Sequence, residues 1–426
     1  MIKTYSSSDF QQLLSTEGQT SLQNDQAYTV AKEVIADIQR DKDKALDKYV
    51  EKFDRAVPDS YLVSEEERRQ AWDLVDDKTI QALKRAAENI RTFHRKQLQE
   101  SKFMQHDASI ISGQLYRAIE KVGIYVPGGT ATYPSSVLMN AIPAVLAGVE
   151  EVVMVSPARN GKSISPLLSV AADLAGVHAI YKIGGIQAIA ALSYGTETIP
   201  SVDKIVGPGN AYVAAAKSLV YGDVGIDMIA GPSEVAIIAD ESADPRSVAA
   251  DLIAQAEHDT KARSFLLTPS QNLIEKTKSE LNIQLDTLPR ASIAKQSLED
   301  KGGLVLVKNL DEAFDLSNAL APEHLEVQLD NPLSYLGKIK HAGSIFLGHY
   351  TPESLGDYYA GPNHVLPTSG TAKFASGLSV DDFIKKSTFL YYTKEALQEA
   401  SEDVIQIAEE EELSGHARAV SKRLTE

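Results

Sequence analysis

The chain has 426 residues, 43% of them hydrophobic, with a formal net charge of −17 and no cysteine. That length buries a sizeable core in roughly two or three domains, and the acidic balance excludes the basic footprint needed for nucleic acid or an anionic membrane. Absent thiols exclude disulfides, thiolate zinc, iron–sulfur clusters and a cysteine nucleophile, so any metal must be held by imidazole, carboxylate or amide groups.

The opening MIKTYSSSDFQQLLS has no basic stretch leading into an apolar one, and no later apolar run is long enough to span a bilayer. A cytoplasmic protein with a small-molecule partner is expected. Residues 24–99 are charged and helix-patterned, with Val34, Ile38, Leu46 and Val50 at helical spacing, which predicts long amphipathic helices. From Val122 the texture changes to short apolar runs, GIYVP, EEVVMVSP, HAIYKIGG and DKIVGPGN, separated by Gly/Pro turns and helical stretches. That alternation predicts βαβ units and a parallel sheet.

The turn in GIYVPGGTATYPSS resembles a phosphate cradle ahead of a helix, where N–H groups and the dipole favour an anion. Its spacing is not GxGxxG, and Pro127 alters the turn. KIGGIQA and IVGPGNAY add Gln187 and Asn210 at predicted helix starts. Turns of this kind would line one edge of the sheet, where ligands bind in such architectures, although βα loops favour glycine in any case. A second series, EVAIIAD, SFLLT, GLVLVK and GSIFLG, predicts a second sheet.

Residues 249–260 read as a helix on which Gln255 and His258, three apart, share a face. Together they could meet a divalent ion, or be ordinary polar residues at a core edge. In APEHLEV, Glu323 and His324 adjoin before a predicted strand. Neighbours on an extended strand point to opposite faces, so joint action needs an irregular backbone, which Pro322 permits. A histidine is the natural proton acceptor near neutral pH, and a glutamate can activate water. The segment SLGDYYAGPNHVLPTSGTAKFASGLSVDDF has neither helical nor strand period. Long irregular loops in compact domains are usually functional; its candidates are Asp357 and His364, against a turn aspartate and a satisfied loop histidine. From Val380 onward a return to helix is predicted, closing on an acidic tail with Glu411 and His416.

Taken together, GIYVPGG, VGPGNAYVAAAK, GPSEV, DLIAQAEHD, APEHLE, AGPNHVLPTSGTAKF, LSVDDFIKK and the tail at 411–416 resemble the histidinol dehydrogenase family. The resemblance implies an NAD-dependent zinc enzyme that oxidises L-histidinol to L-histidine through L-histidinal. It implies a zinc ion per subunit, held by Gln255, His258, Asp357 and His416, with Glu323 and His324 as the catalytic pair. Besides these, substrate contacts fall on Ser233, His364 and Glu411, and NAD contacts on Tyr125, Gln187 and Asn210.

The fold class that goes with it is α/β, with two incomplete Rossmann-like parallel-sheet domains plus small helical terminal segments. The expected division is an N-terminal helical segment over 1–21, a main domain over 22–124 and 233–378, an NAD-binding domain over 125–232, and a helical tail over 379–426. The tail is expected to reach the partner's site in a homodimer with shared active sites; neither nucleic acid nor membrane is expected as a partner. Other readings also fit the residues: a paralogue acting on another small alcohol such as a sulfonated diol, and a zinc-dependent hydrolase whose glutamate activates water.

Overall fold

Short strand-forming runs and longer helical ones alternate through most of the chain. A computed structural model describes residues 2–17, 25–105, 109–128, 132–158, 163–229 and 231–424. In chain order its strands begin with β1 (Lys3–Ser6), β2 (Lys102–Gln105), β3 (Ile110–Ala118), β4 (Lys121–Tyr125), β5 (Glu151–Ser156), β6 (Ala179–Lys182) and β7 (Lys204–Val206). They continue with β8 (Gly225–Ile226), β9 (Glu234–Ala239), β10 (Arg263–Thr268), β11 (Gly303–Leu306), β12 (His324–Gln328), β13 (Ser344–Leu347) and β14 (Ile384–Tyr392).

These strands form a six-stranded sheet in the order β1-β11-β10-β9-β12-β13 and a five-stranded sheet in the order β6-β5-β4-β7-β8. All pairings in both are parallel. Helices cover both faces of such sheets, so their strands read as continuous apolar runs; Val152, Val153, Met154 and Val155 of β5 are all inaccessible to solvent. The two series of strands expected from the sequence are therefore present as two α/β units.

The charged N-terminal region folds into helices Asp25–Asp54, Glu65–Leu74 and Asp77–Arg95. The first buries Ala31, Val34, Ile38, Leu46 and Val50 in the same cluster as Ile186, Ala190 and Val213, which lie on helices covering the five-stranded sheet. Each buried Val, Ile or Leu side chain among them contributes about 1.5–3 kcal/mol. No helix among the described residues is long and apolar enough to cross a membrane.

Two stretches differ from expectation. Residues 3–6, taken as part of a helical segment, instead form an edge strand along β11, with helix Ser7–Glu17 following. Beyond Val380 the chain makes one 3-10 turn, Val380–Phe383, and then β14, which runs antiparallel to β3 in a third sheet ordered β14-β3-β2. Thr388, Phe389, Tyr391 and Tyr392 are residues that favour a pleated surface, and helix resumes at Lys394–Glu410 and Ser414–Leu424.

Candidate active site

Strand β12 reads HLEVQ, and every one of its residues is buried. Alternation of this kind normally marks a strand with one wet face. Leu325 and Val327 enter the apolar core, so His324, Glu326 and Gln328 project to the opposite side and must find polar partners there. Helix Pro245–Ala256 supplies some of them. Gln328 Nε2 donates to Asp251 Oδ2 and to Glu326 Oε2, both at 2.8 Å. One turn further, the fully buried Gln255 sets one end of its carboxamide 2.9 Å from both carboxylate oxygens of Glu353, and only the flip that puts the nitrogen there makes hydrogen bonds to them. The helix stops at Ala256, so His258 stands in the turn just beyond it rather than on the helix.

The irregular segment opens with a short helix, Glu353–Tyr358. Its Glu353 and Asp357, four apart, share a face. The Glu353 N–H donates to Glu326 Oε1 at 2.9 Å, which ties this helix to β12. Ligand atoms of His258, Glu353 and Asp357 all lie within 4.8 Å of one another.

His324 and Glu323 face this group. The helix before them, Leu310–Leu320, ends on Ala321 in the left-handed region at φ 52°, which with Pro322 provides the irregular backbone the pair requires. His324 Nδ1 lies 3.0 Å from the Glu234 carbonyl. A carbonyl accepts, so Nδ1 carries the hydrogen and Nε2 the lone pair. That Nε2 is buried without a hydrogen-bond partner among the described residues and lies 3.9 Å from Asp357 Oδ1. Burial pushes His324 down to about 3, so the ring is neutral at neutral pH. Glu323 Oε2 accepts from the Glu234 N–H at 3.0 Å and sits 3.9 Å from His324 Nδ1. Burial, then the charges of Glu234 and Asp357, raises its carboxyl well above the usual range.

His364 Nδ1 donates to the Asp357 carbonyl at 3.0 Å, and its Nε2 is 3.3 Å from Ser136 Oγ. Since Ser136 belongs to helix Pro134–Ala147, which follows β4, His364 bridges the five-stranded sheet's unit to the cluster. Ser233 immediately precedes β9, its carbonyl accepting from Arg263 N–H at 2.9 Å. The structure thus gathers Gln255, His258, Glu323, His324, Asp357 and His364. Glu411 and His416 are exposed on the tail and do not belong to the group of ligand atoms within this chain.

At the carboxyl end of the five-stranded sheet, the Tyr125 hydroxyl accepts from Gly185 N–H at 3.1 Å. Gln187, in the first turn of the helix after β6, donates to Asp54 Oδ2 at 3.3 Å, and its buried Oε1 has no partner among the described residues. Asn210 caps helix Ala211–Val220, accepting from Tyr212 and Val213 N–H at 3.0 and 3.2 Å. Gly207, at φ 111°, packs so close to β4 that a Cβ there would lie 2.1 Å from the Tyr125 carbonyl. A buried Lys217–Asp227 ion pair clamps it: Lys217 Nζ donates to the Gly207 carbonyl at 2.9 Å, and Asp227 Oδ2 accepts from its N–H at 2.8 Å. The turn after β4, read as a phosphate cradle, has its residues 129–131 outside the described residues.

The donors fit what a divalent cation and a dinucleotide need. The cation would meet imidazole and oxygen donors already converged, with no thiolate among them. The dinucleotide would meet a glycine turn that admits no side chain and an unpartnered buried amide oxygen. Glu353, Glu326, Asp251, Lys217 and Asp227 were not among the residues expected from the sequence. The available signals were the polar alternation of HLEVQ and the four-residue spacing of Glu353 and Asp357.

Comparison with known proteins gives a consistent result. The family model for histidinol dehydrogenase matches residues 18–424. A histidinol dehydrogenase of Bacillus cereus is 54% identical over 395 residues, covering 93% of this chain and 92% of that protein. One of Clostridium acetobutylicum is 51% identical over 414 residues, covering 97% and 95%. The crystal structure of histidinol dehydrogenase from Elizabethkingia anophelis superposes with a TM-score of 0.94 at 43% identity, covering 99% of this chain and 98% of that one.

Proposed function

The chain belongs to the histidinol dehydrogenase family and is an NAD-dependent oxidoreductase, and we propose that it oxidises L-histidinol to L-histidine at the His324 cluster. The observation that carries this reading is the buried, unpartnered Nε2 of His324 facing converged metal-type donors. The overall change is alcohol to aldehyde to acid, with two hydrides leaving for two NAD and one water entering.

In this reading Gln255, His258 and Asp357 hold a zinc ion together with His416 from a second subunit. When bound, the cation would orient the substrate and NAD would supply the hydride acceptor. His324 Nε2 takes the hydroxyl proton as the first hydride departs, and its neutral state at neutral pH leaves the lone pair available. Glu323, as its carboxylate, then takes a proton from water as the oxygen adds to the aldehyde carbon, while His324 returns its proton to the carbonyl oxygen, giving the hydrate and a neutral His324. His324 removes the hydrate's hydroxyl proton as the second hydride leaves. Its Nδ1–H remains bonded to the Glu234 carbonyl throughout, which keeps the ring from turning. Ser233, His364 and Glu411 complete the substrate shell.

Tyr125, Gln187 and Asn210 lie where the dinucleotide would run along the carboxyl end of the five-stranded sheet. The expected domain division has 125–232 as the cofactor unit, and the tail over 379–426 as the segment exchanged between subunits of a homodimer. Supporting the exchange, the tail exposes Val404, Ile407 and Leu413 besides His416. Use of the NAD pool goes with a cytoplasmic location. The test is the yield of NADH per L-histidinol consumed by zinc-replete protein. Two equivalents are expected; one equivalent, or no reaction at millimolar substrate, refutes the reading.

A further inference from the structure

We propose that Glu353 is the positioning residue that selects which end of the Gln255 carboxamide meets the cation. The inference rests on the metal reading above and adds a residue to it. An amide is a useful metal ligand through its oxygen; its nitrogen has no lone pair to give. Gln255 therefore works as a ligand in one of its two flips, and something must hold it there.

Glu353 is placed to do so. Both of its oxygens lie 2.9 Å from one end of the Gln255 carboxamide, and only the flip that puts the nitrogen at that end makes hydrogen bonds to them; a carboxylate accepting from that NH2 directs the carbonyl oxygen away from itself. With Glu353 ionised beside a bound cation, the other flip would bring the amide oxygen against those oxygens, acceptor facing acceptor with almost no solvent to relieve it, since Glu353 is 3% exposed and Gln255 fully buried. Glu353 cannot drift either. Its N–H is held by Glu326 Oε1 at 2.9 Å, and Glu326 is fixed in turn by Gln328, which also donates to Asp251 on the helix carrying Gln255. The chain of contacts closes on itself, from Gln255 through Glu353, Glu326 and Gln328 to Asp251, one turn before Gln255.

Partners behind a first ring of metal ligands commonly affect metal affinity about 10- to 100-fold, and E353A should weaken zinc binding by that amount in competition with a chromophoric chelator. E353Q accepts through its amide oxygen without the charge and should fall between E353A and the parent. Two further readouts separate positioning from other roles. Cobalt-loaded parent and E353A, both at saturating cobalt, should have the same visible d–d band positions and intensities, because the number of ligands is unchanged. Metal-free E353Q should melt no lower than the parent, because an isosteric neutral group replaces a buried carboxyl crowded by Asp357, Glu326 and Glu323.

Unchanged metal affinity in E353A overturns the proposal. So does a shift of the cobalt bands to another coordination number, which would make Glu353 itself a ligand, and so does a large fall in the metal-free melting temperature of E353Q, which would make its role structural. Failure of the parent to bind zinc or cobalt would instead sink the metal reading beneath it.

Discussion

If His416 completes the site of a second subunit, two inactive variants should restore each other. Within one chain His258, Glu353 and Asp357 converge while His416 sits on an exposed helix, so the proposal assigns His258 and His416 of any one site to different chains. A heterodimer of H258A and H416A subunits, isolated with two affinity tags, then contains one site lacking both imidazoles and one lacking neither. Its NADH formation should be about half that of the parent dimer, by the two-fold symmetry of the arrangement, while each homodimer stays at its low residual rate. The mirror experiment pairs a double H258A/H416A subunit with a parent subunit. Shared sites leave both damaged and the heterodimer inactive; unshared sites leave one intact and give about half activity. A heterodimer of the single variants no faster than its parents, together with a half-active mirror heterodimer, would refute the exchange.

H324A should lower turnover about 10²–10⁴-fold, the scale of losing a general base, while chelator titration finds zinc still bound. E323Q should slow oxidation of added L-histidinal more than the first oxidation of L-histidinol, measured as separate single-turnover NADH bursts; equal losses would remove its role with water. K217M leaves Asp227 buried without its partner and should cost about 3–5 kcal/mol of stability, with NAD binding by calorimetry weakened because Gly207 loses a clamp. Glu326 gives a pH dependence. Burial, then Asp251, raises it to about 8, so the folded state binds that proton more tightly than the unfolded chain. The stability this lends is full below the ordinary value of 4.5 and is lost as pH rises toward 8. The metal-free protein should therefore melt lower at pH 8 than at pH 5, and E326Q should flatten that slope.

The parallel sheets were legible because their strands are buried on both faces and so advertise themselves as apolar runs between glycine turns. Gln255, Asp357 and His324 were legible as residue types, but their convergence was not, since at least 32 residues lie between any two of them along the chain. Glu353 escaped for a narrower reason. The irregular segment was taken to start at Ser354, although the helix that presents Asp357 begins one residue earlier and needs Glu353 as its first member. Strand β14 was misread because the helical pattern that follows it, with lysines and a serine in its first half, masked the aromatic and β-branched run that pairs with β3. His416 is of another kind: an exposed histidine at the end of an acidic tail has no local feature to distinguish it, and its partners belong to a different chain in the proposed dimer.

The position of the site relative to the two sheets gives these pieces a common logic. His324 and Glu234 are the first residues of β12 and β9, and Ser233 precedes β9, so the proposed catalytic groups gather at the amino end of the six-stranded sheet. Ligands of an open α/β sheet usually sit at the carboxyl end, which is where Tyr125, Gln187 and Asn210 lie on the five-stranded sheet. One sheet thus offers its cofactor-type edge while the other offers the edge that normally carries no chemistry, and His364, bonded to Ser136 on one side and to Asp357 on the other, spans the gap. Backbone N–H groups at the amino end of a strand favour carboxylates, as Glu323 accepting from Glu234 N–H illustrates, so this edge can hold an acidic cluster. Asp251, Glu323, Glu326, Glu353 and Asp357 all have raised carboxyl pKa values, with burial the largest cause. Such a group is costly to ionise until a cation offsets it, and that connects the unusual edge with the proposed metal: a divalent ion would offset the charge that burial makes unfavourable there.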